Sequence, residues 1–214
     1  MSDNKKNSSE LRFACTRCGN CCTDKSTLVN VTFSDILRIK NGLNLNIDET
    51  LQILGFYYFE NVPSKNELKK LMVPPIETEK GLAFVGLLKN NNSVCYFYDN
   101  KKKACSIYRL RPNFCRTFPF SFRIFFDKND KTRAKIEMYY TEKGKQYCPG
   151  ISSKAPIIKT NDWVKVGKET IEDLNYNNIL VEKWNGMVKK GSIEPTVKRF
   201  LQVVFNLKKK TNKS

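Results

Sequence analysis

Apolar and polar positions alternate in the middle of the chain, a pattern that predicts β-strands. Residues 81–89 and 94–99 are two such segments separated by Asn-Asn-Asn-Ser, and they predict a β-hairpin. Residues 120–127 and 134–140 have the same character on either side of the polar segment 128–133, and they predict a second hairpin. Two antiparallel hairpins are therefore expected near the centre of the sequence.

Two short helices are expected before these strands. Apolar residues at helical intervals predict helices over 32–44 and 46–56, ending near Gly42 and Gly55. Residues 56–80, which contain three prolines, are predicted to be irregular. The candidate N-caps are Thr32 or Ser34 for the first helix and Asn46 or Asp48 for the second.

Helical periodicity returns after Pro156. Residues 162–191 and 195–210 carry apolar residues at helical spacing, and Gly191 and Pro195 mark a break between them. Combined with the central strands, this pattern predicts an α+β protein. Its expected parts are a small cysteine-rich core with β-hairpins, flanking helices and a C-terminal helical segment.

Composition suggests where the folded part begins and ends. The polar residues 1–12 are predicted to be a disordered tail and 208–214 a basic tail. Between them we predict a cysteine-cluster domain over 13–155 and the helical segment over 156–207. The chain has no charged start followed by an apolar stretch, and no apolar run approaches the roughly 20 residues of a membrane span. A cytoplasmic protein without a membrane span is therefore expected.

Cysteines provide the candidate chemistry, because four of the eight lie within Cys15–Cys22. Cys15, Cys18 and Cys21 have the spacing CxxCxxC, which lets consecutive thiolates converge on one centre. Gly19 is expected to adopt a positive φ that turns backbone N–H groups toward sulfur. The adjacent Cys22 suggests a second centre beside the first.

The second half of the chain supplies the other four thiols. Cys95, Cys105 and Cys115 are spaced by ten residues, and Cys148 precedes a proline, as does the last cluster ligand of bacterial ferredoxins. Eight cysteines suffice for two four-thiolate sites, holding an iron–sulfur cluster, zinc, or both. The chain has no histidine, so histidine-based acid–base catalysis is excluded, and a zinc site would use cysteine with or without a carboxylate or water. Four disulfides are the alternative, which a reducing compartment disfavours.

The net charge of +17 raises the question of an anionic partner. Part of it lies in the basic C-terminal end, and part surrounds Cys105 and Cys115, where cations would offset the charge of several thiolates. We expect a protein partner or substrate with an acidic surface. Nucleic acid is the weaker alternative, because no RNA-binding or helix-turn-helix pattern accompanies the charge. The basic residues of this second cluster are Lys101, Lys102, Lys103, Arg109, Arg111 and Arg116.

Two cysteine motifs together resemble a known family. The knot Cys15–Cys22 and the segment Cys105–Phe120, followed by Cys148-Pro149-Gly150, resemble the YkgJ-type cysteine-cluster (CxxCxxCC) family of zinc- or iron-chelating domains. The resemblance covers roughly residues 13–150, and all eight cysteines fall on family positions.

The resemblance implies metal binding by all eight cysteines. The ferredoxin-like spacing of Cys15, Cys18 and Cys21, together with Cys148-Pro149, favours an iron–sulfur cluster of the 4Fe–4S type over zinc. Arg111 and Arg116, which flank motif cysteines, are predicted to donate to cluster sulfur or to an anionic ligand. The family also occurs in flagellin lysine N-methylases. An S-adenosylmethionine-dependent protein methyltransferase is therefore one alternative function, and a redox or metal-delivery protein is another. Whether the chain is an enzyme stays open at this point.

Overall fold

The computed structural model describes residues 10–126 and 134–207. The loop predicted at 128–133, most of the predicted N-terminal tail, the C-terminal tail and the last residues of the helix predicted to reach residue 210 lie outside the described residues.

A three-stranded antiparallel sheet forms the centre of the fold. Its strands are β1 (Leu54–Tyr58), β2 (Ile76–Thr78) and β3 (Gly81–Leu87), with β3 in the middle. The prediction that 56–80 is irregular is therefore partly wrong, because both partner strands of β3 come from or border this segment. The first predicted hairpin is confirmed only next to its turn. An antiparallel bridge joins Lys89 and Cys95, and the Tyr96 N–H donates to the Leu88 carbonyl at 2.8 Å, whereas β3 itself pairs with β1 and β2 on its two edges.

Two smaller antiparallel pairs follow along the chain. The short strands β4 (Tyr98–Asp99) and β5 (Ala104–Cys105) pair with each other and place Tyr98 opposite Cys105. The strands β6 (Phe120–Phe126) and β7 (Ala134–Tyr140) pair over their full length. The second predicted hairpin is thus confirmed.

Short helices connect these strands, and their ends follow local capping chemistry. They are α1 (Asn20–Thr23), α2 (Phe33–Leu43), α3 (Ile47–Leu51), α4 (Lys65–Leu68), α5 (Asn113–Thr117) and α6 (Glu142–Tyr147). Thr32 and Asn46 cap α2 and α3, each with a reciprocal capping box, as two of the candidate caps predicted. The predicted stop at Gly55 is wrong, because α3 ends four residues earlier and Gly55 lies in β1.

Two C-terminal helices, one long and one short, pack on the core as the apolar periodicity predicted. They are α7 (Thr160–Lys189) and α8 (Val197–Phe205). Trp184 of α7 is fully buried, packs edge-on against Phe200 of α8 and donates its Nε1–H to the Glu77 carbonyl at 2.8 Å. The helices and the sheet therefore share one hydrophobic core, which also includes Cys95.

The architecture is α+β, with helices packed on small antiparallel sheets. Among residues 10–126 and 134–207, none of the helices combines the length and apolar character needed to cross a lipid bilayer.

Candidate metal centre

The N-terminal cysteine knot is shaped by a tight turn before α1. Gly19 has a φ of +81°, as predicted from its place after Cys18, and it precedes the helical residues Cys21 and Cys22. The ring of Tyr98 packs directly against Gly19, at a distance where a Cβ would lie 2.7 Å from Tyr98 Cζ. Two features therefore require glycine at position 19: its positive φ and the close approach of the Tyr98 ring.

Replacing this glycine tests how rigidly the knot is built. Gly19→Ala is expected to destabilise the fold by about 2 kcal/mol, because a Cβ strains the left-handed conformation and displaces Tyr98. Gly186→Ala is the matched control, since a Cβ there meets no atom within 4 Å and helical alanine gains about 0.5–1 kcal/mol over glycine. Denaturant unfolding of both variants measures the difference. Equal effects would show that the knot tolerates a side chain.

Five thiols form a cluster that we call the inner thiol group: Cys21, Cys22, Cys95, Cys105 and Cys115. At its centre the Cys22 thiol lies beside the sulfurs of Cys105 and Cys21 and interacts with both. Backbone pairing explains why remote segments meet there. The Cys95 N–H donates to the Cys22 carbonyl at 2.9 Å, and the Tyr98 N–H donates to the Cys95 carbonyl at 2.9 Å.

The inner group favours thiolates at two positions. Interaction with the neighbouring Cys22 thiol lowers the pKa of Cys21 to about 7 and that of Cys105 to about 6, and the Arg111 guanidinium acts in the same direction. The pKa of Cys22 itself is raised, because Cys105 and Cys21 beside it favour its neutral form. Burial raises the pKa of Cys95 and, more strongly, that of Cys115. A bound metal ion would lower the pKa of each coordinating thiol, because coordination favours the thiolate.

The other three thiols form a second cluster, the outer thiol group: Cys15, Cys18 and Cys148. Burial raises the pKa of Cys148, and the charges of Cys18 and Cys15 add to the effect, so these sulfurs lie within electrostatic range of one another. Backbone contacts hold the two segments together: Ala14 N–H donates to the Gly150 carbonyl at 3.1 Å. The Asn20 side chain also donates to the Tyr147 carbonyl at 2.9 Å. A Cys-Pro far along the sequence is thereby brought to the N-terminal knot.

The two arginines predicted to assist a cluster lie in different surroundings. Arg111 is near the inner group, where it stacks on the Tyr108 ring with its Cζ 3.7 Å from the centroid. Arg116 is directed toward α7, with its guanidinium 3.6 Å from Glu169. Arg17 was missed by the sequence analysis. Its guanidinium also lies over the Tyr108 ring, with Cζ 4.8 Å from the centroid.

A polar network between α1 and α6 was also missed. Asp24 accepts hydrogen bonds from Lys143 Nζ at 2.9 Å and from the Thr27 hydroxyl. These bonds hold the pKa of the Asp24 carboxyl well below its usual range, with the Thr27 hydroxyl contributing most. Because Asp24 follows Cys22 and Lys143 precedes Cys148, the network links the segments that carry the two thiol groups. No spacing of residues in the sequence predicts the ion pair between Asp24 and Lys143.

The donor chemistry fits a thiolate-bound metal. All eight cysteines are free thiols in the structure, so the alternative of four disulfides is wrong. In the described part of the chain, no three or more Cys, Asp or Glu side chains are already placed to hold one ion. The thiols must release their protons and turn toward a metal before they can bind it. Sulfur alone, without imidazole, is the ligand set of iron–sulfur clusters and of all-cysteine zinc sites.

Comparison with known proteins places this ligand set in a family. A sequence model of the CxxCxxCC family, described as a "putative zinc- or iron-chelating domain", matches residues 14–149, well over half of the chain. The chain is 28% identical over 141 residues to the uncharacterized protein MJ0661 of Methanocaldococcus jannaschii. That alignment covers 66% of this chain and 59% of the relative, so the chain spans about three fifths of the relative's length. No solved structure matches the chain. With all eight cysteines arranged in two neighbouring groups within the matched region, the chain belongs to the CxxCxxCC family of zinc- or iron-chelating domains.

Proposed function

We propose that this protein binds two metal centres through its eight cysteines and that at least one of them is an iron–sulfur cluster. The observation that carries this proposal is the gathering of all eight cysteines, from segments far apart in the sequence, into one group of five and one group of three. Cys21 is the member of the inner group that continues the spacing of Cys15 and Cys18, and it lines the same cavity as Tyr147, the residue before Cys148.

Assigning Cys21 to the outer group divides the eight cysteines into two sets of four. Cys21 joins the outer group to give the ferredoxin-like set Cys15, Cys18, Cys21 and Cys148, which we assign to a 4Fe–4S cluster. The second set consists of Cys22, Cys95, Cys105 and Cys115, and it suits either zinc or a second cluster. Arg111, whose charge favours the thiolates of Cys21 and Cys105, would offset the negative charge of either centre.

Metal analysis of the protein purified without oxygen tests the proposal. We expect iron and acid-labile sulfide at about four each per cluster, with visible colour, together with zinc or further iron. Cys148→Ser should remove the first centre and leave the second, whereas Cys105→Ser should do the reverse. Ser153→Ala, an exposed position near Cys148, is the control and should keep the full metal content.

Three outcomes contradict specific parts of the proposal. Stoichiometric zinc without iron would exclude the iron–sulfur cluster. Loss of all metal in both cysteine variants would show one shared centre instead of two. Unchanged metal content in either variant would exclude that cysteine as a ligand.

The charge distribution favours a redox or metal-delivery role with an acidic protein partner. The turn between β4 and β5 carries three exposed lysines just before Cys105: Lys101, Lys102 and Lys103. Arg17 and Arg109, which lie within a few residues of motif cysteines in the sequence, are also exposed. Such a basic rim would guide an acidic surface toward the thiols by long-range attraction. The lysine methylase alternative rests on the family resemblance alone and stays a prediction.

A further inference from the structure

Two arginines from distant segments meet on the ring of Tyr108. Arg17, from the cysteine knot, has its Cζ 4.8 Å from the ring centroid, and Arg111 has its Cζ 3.7 Å from the same centroid. Within residues 10–126 and 134–207, neither guanidinium forms a salt bridge with a carboxylate. Arg111 is half-buried and its charge favours nearby thiolates, whereas Arg17 is exposed to solvent and open to a partner.

Both guanidinium groups are held in place by the fold. Arg111 Nε donates to the Tyr108 carbonyl at 3.0 Å, and Arg38 donates to the Arg111 carbonyl at 2.7 Å. Arg17 has a φ of 54°, a left-handed conformation that is uncommon for residues other than glycine, so a defined turn of the knot places its side chain over Tyr108. Donors fixed in this way lose little conformational entropy when they bind an anion.

The lysines of the turn between β4 and β5 extend this basic surface. Tyr98 of β4 joins the two parts, because it pairs with Cys105 of β5 and its ring packs against Gly19, two residues after Arg17. We call the combined surface the basic docking surface, and it consists of Arg17, Lys101, Lys102, Lys103, Tyr108 and Arg111.

Acidic residues are absent from the segments that build the basic docking surface. Residues 11–23 and 100–126 contain no aspartate and no glutamate. Asp99, at the start of the lysine turn, accepts hydrogen bonds from the Lys101 and Lys102 N–H groups at 2.9 and 3.0 Å, so its carboxylate stabilises the turn itself. The positive charge of the surface is therefore left for an anion supplied from outside the chain.

We infer that the basic docking surface is where an acidic protein partner binds, and that a carboxylate side chain of this partner pairs with the guanidinium groups of Arg17 and Arg111. The planar fork of arginine matches the two oxygens of a carboxylate. Nucleic acid is disfavoured, because single-stranded nucleic acid uses open aromatic faces for base stacking and the Tyr108 ring is engaged by the two guanidinium groups.

A partner docked there lies next to thiols of both groups. Arg17 lies between Cys15 and Cys18 of the outer group, and Tyr108 follows Cys105 of the inner group by three residues. The inference rests on the acidic partner proposed above and adds the residues that bind it. It does not depend on which metal the thiols hold.

Fluorescence anisotropy with a labelled oligoglutamate peptide tests this surface on the metal-loaded, full-length protein. Arg17→Gln should weaken peptide binding about fivefold, the upper end for an exposed ion pair. Arg17→Lys keeps the charge and should still weaken binding about threefold, because an ammonium group lacks the planar fork. Arg199→Gln is the matched control, since Arg199 is exposed on α8, donates to the Gln202 side chain at 2.9 Å and lies outside the docking surface. That variant should bind the peptide like the unmodified protein.

Tyr108→Leu tests the role of the ring separately. This variant keeps both arginines but releases their guanidinium groups from the ring, and it should weaken peptide binding about threefold. Because Tyr108 lies outside the cysteine knot, the variant decides the matter even if the Arg17 variants fail to fold.

The inference is overturned if Arg17→Gln binds the peptide like Arg199→Gln, or if Arg17→Lys and Tyr108→Leu both bind like the unmodified protein. It is also overturned if a single-stranded RNA of the same charge binds more tightly than the peptide and depends equally on Arg17. Metal content measured on the same samples separates the two proposals. Weakened peptide binding at full metal content supports the docking surface, whereas unmodified protein without metal contradicts the metal centres alone.

Discussion

Removal of the bound metal is expected to lower the melting temperature by about 10–40 °C, corresponding to a loss of about 5–10 kcal/mol of stability. The reason is the sequence separation of the proposed ligands. The inner group draws on the α1 knot, Cys95, β5 and α5, and the direct backbone bond from Cys95 to Cys22 is a weak substitute for a shared ion. Without metal, these four segments would be held at the site only by contacts between neutral thiols and by backbone hydrogen bonds such as that from Cys95 to Cys22.

The loss of stability should appear first in the segments that carry the thiols and only later in the rest of the fold. Residues 13–24 and 95–118 are expected to lose protection from hydrogen exchange, whereas α7 and α8, which bury Trp184 and Phe200 against each other, keep theirs. Differential scanning calorimetry and hydrogen exchange before and after treatment with ferricyanide and a chelator measure both effects. A thiol reductant added after removal of the oxidant prevents disulfide formation from mimicking the result.

Reconstitution provides the control for this experiment. Anaerobic addition of iron and sulfide, or of zinc, should restore the original melting temperature if the losses come from the metal alone. Unchanged stability and unchanged exchange after complete metal removal would show that the thiols do not connect these segments through an ion.

Long-range strand pairing limited what the sequence could predict of the fold. The helices α2, α7 and α8 were predicted because their periodicity and caps are local properties of the sequence. The partners of β3 were missed because β2 has three residues and follows two prolines, so it lacks an alternating pattern of its own. Residues 94–99 have strand-like composition, but within the predicted hairpin they pair only with the residues just after β3, because β1 and β2 occupy both edges of β3.

The site shows the same division between local and tertiary information. The positive φ of Gly19 was predictable because a compact cysteine loop requires a turn there. The grouping of thiols was not, since it depends on the contact between Ala14 and Gly150, which are 136 positions apart. Stacking of Arg17 on Tyr108 likewise arises from tertiary packing and leaves no mark in residue spacing.

Asp35→Ala is expected to destabilise the fold by about 3–5 kcal/mol, a large fraction of the roughly 5–15 kcal/mol that stabilises a domain. Asp35 is fully buried and accepts hydrogen bonds from Thr32 N–H at 3.1 Å, from Asn113 N–H at 3.0 Å and from the Arg38 guanidinium. Alanine would leave the Arg38 charge and two backbone donors without this partner. The helix α2 would lose both its capping box and its link to α5.

This variant should also affect the metal centre, because α5 carries Cys115. Arg38 donates to the Arg111 carbonyl at 2.7 Å, so the carboxylate and the guanidinium together hold the segment that leads into α5. Denaturant unfolding gives the stability change, and metal content per folded chain gives the effect on the site.

Asp48→Ala is the matched control: Asp48 pairs with Lys198 at 2.7 Å on the exposed surface, and its loss should cost less than about 1 kcal/mol. If both variants lose the same stability, Asp35 is not the connection between α2 and the segment carrying Cys115. If Asp35→Ala is destabilised but keeps full metal content, the connection is structural and the thiols find their ligand positions without it.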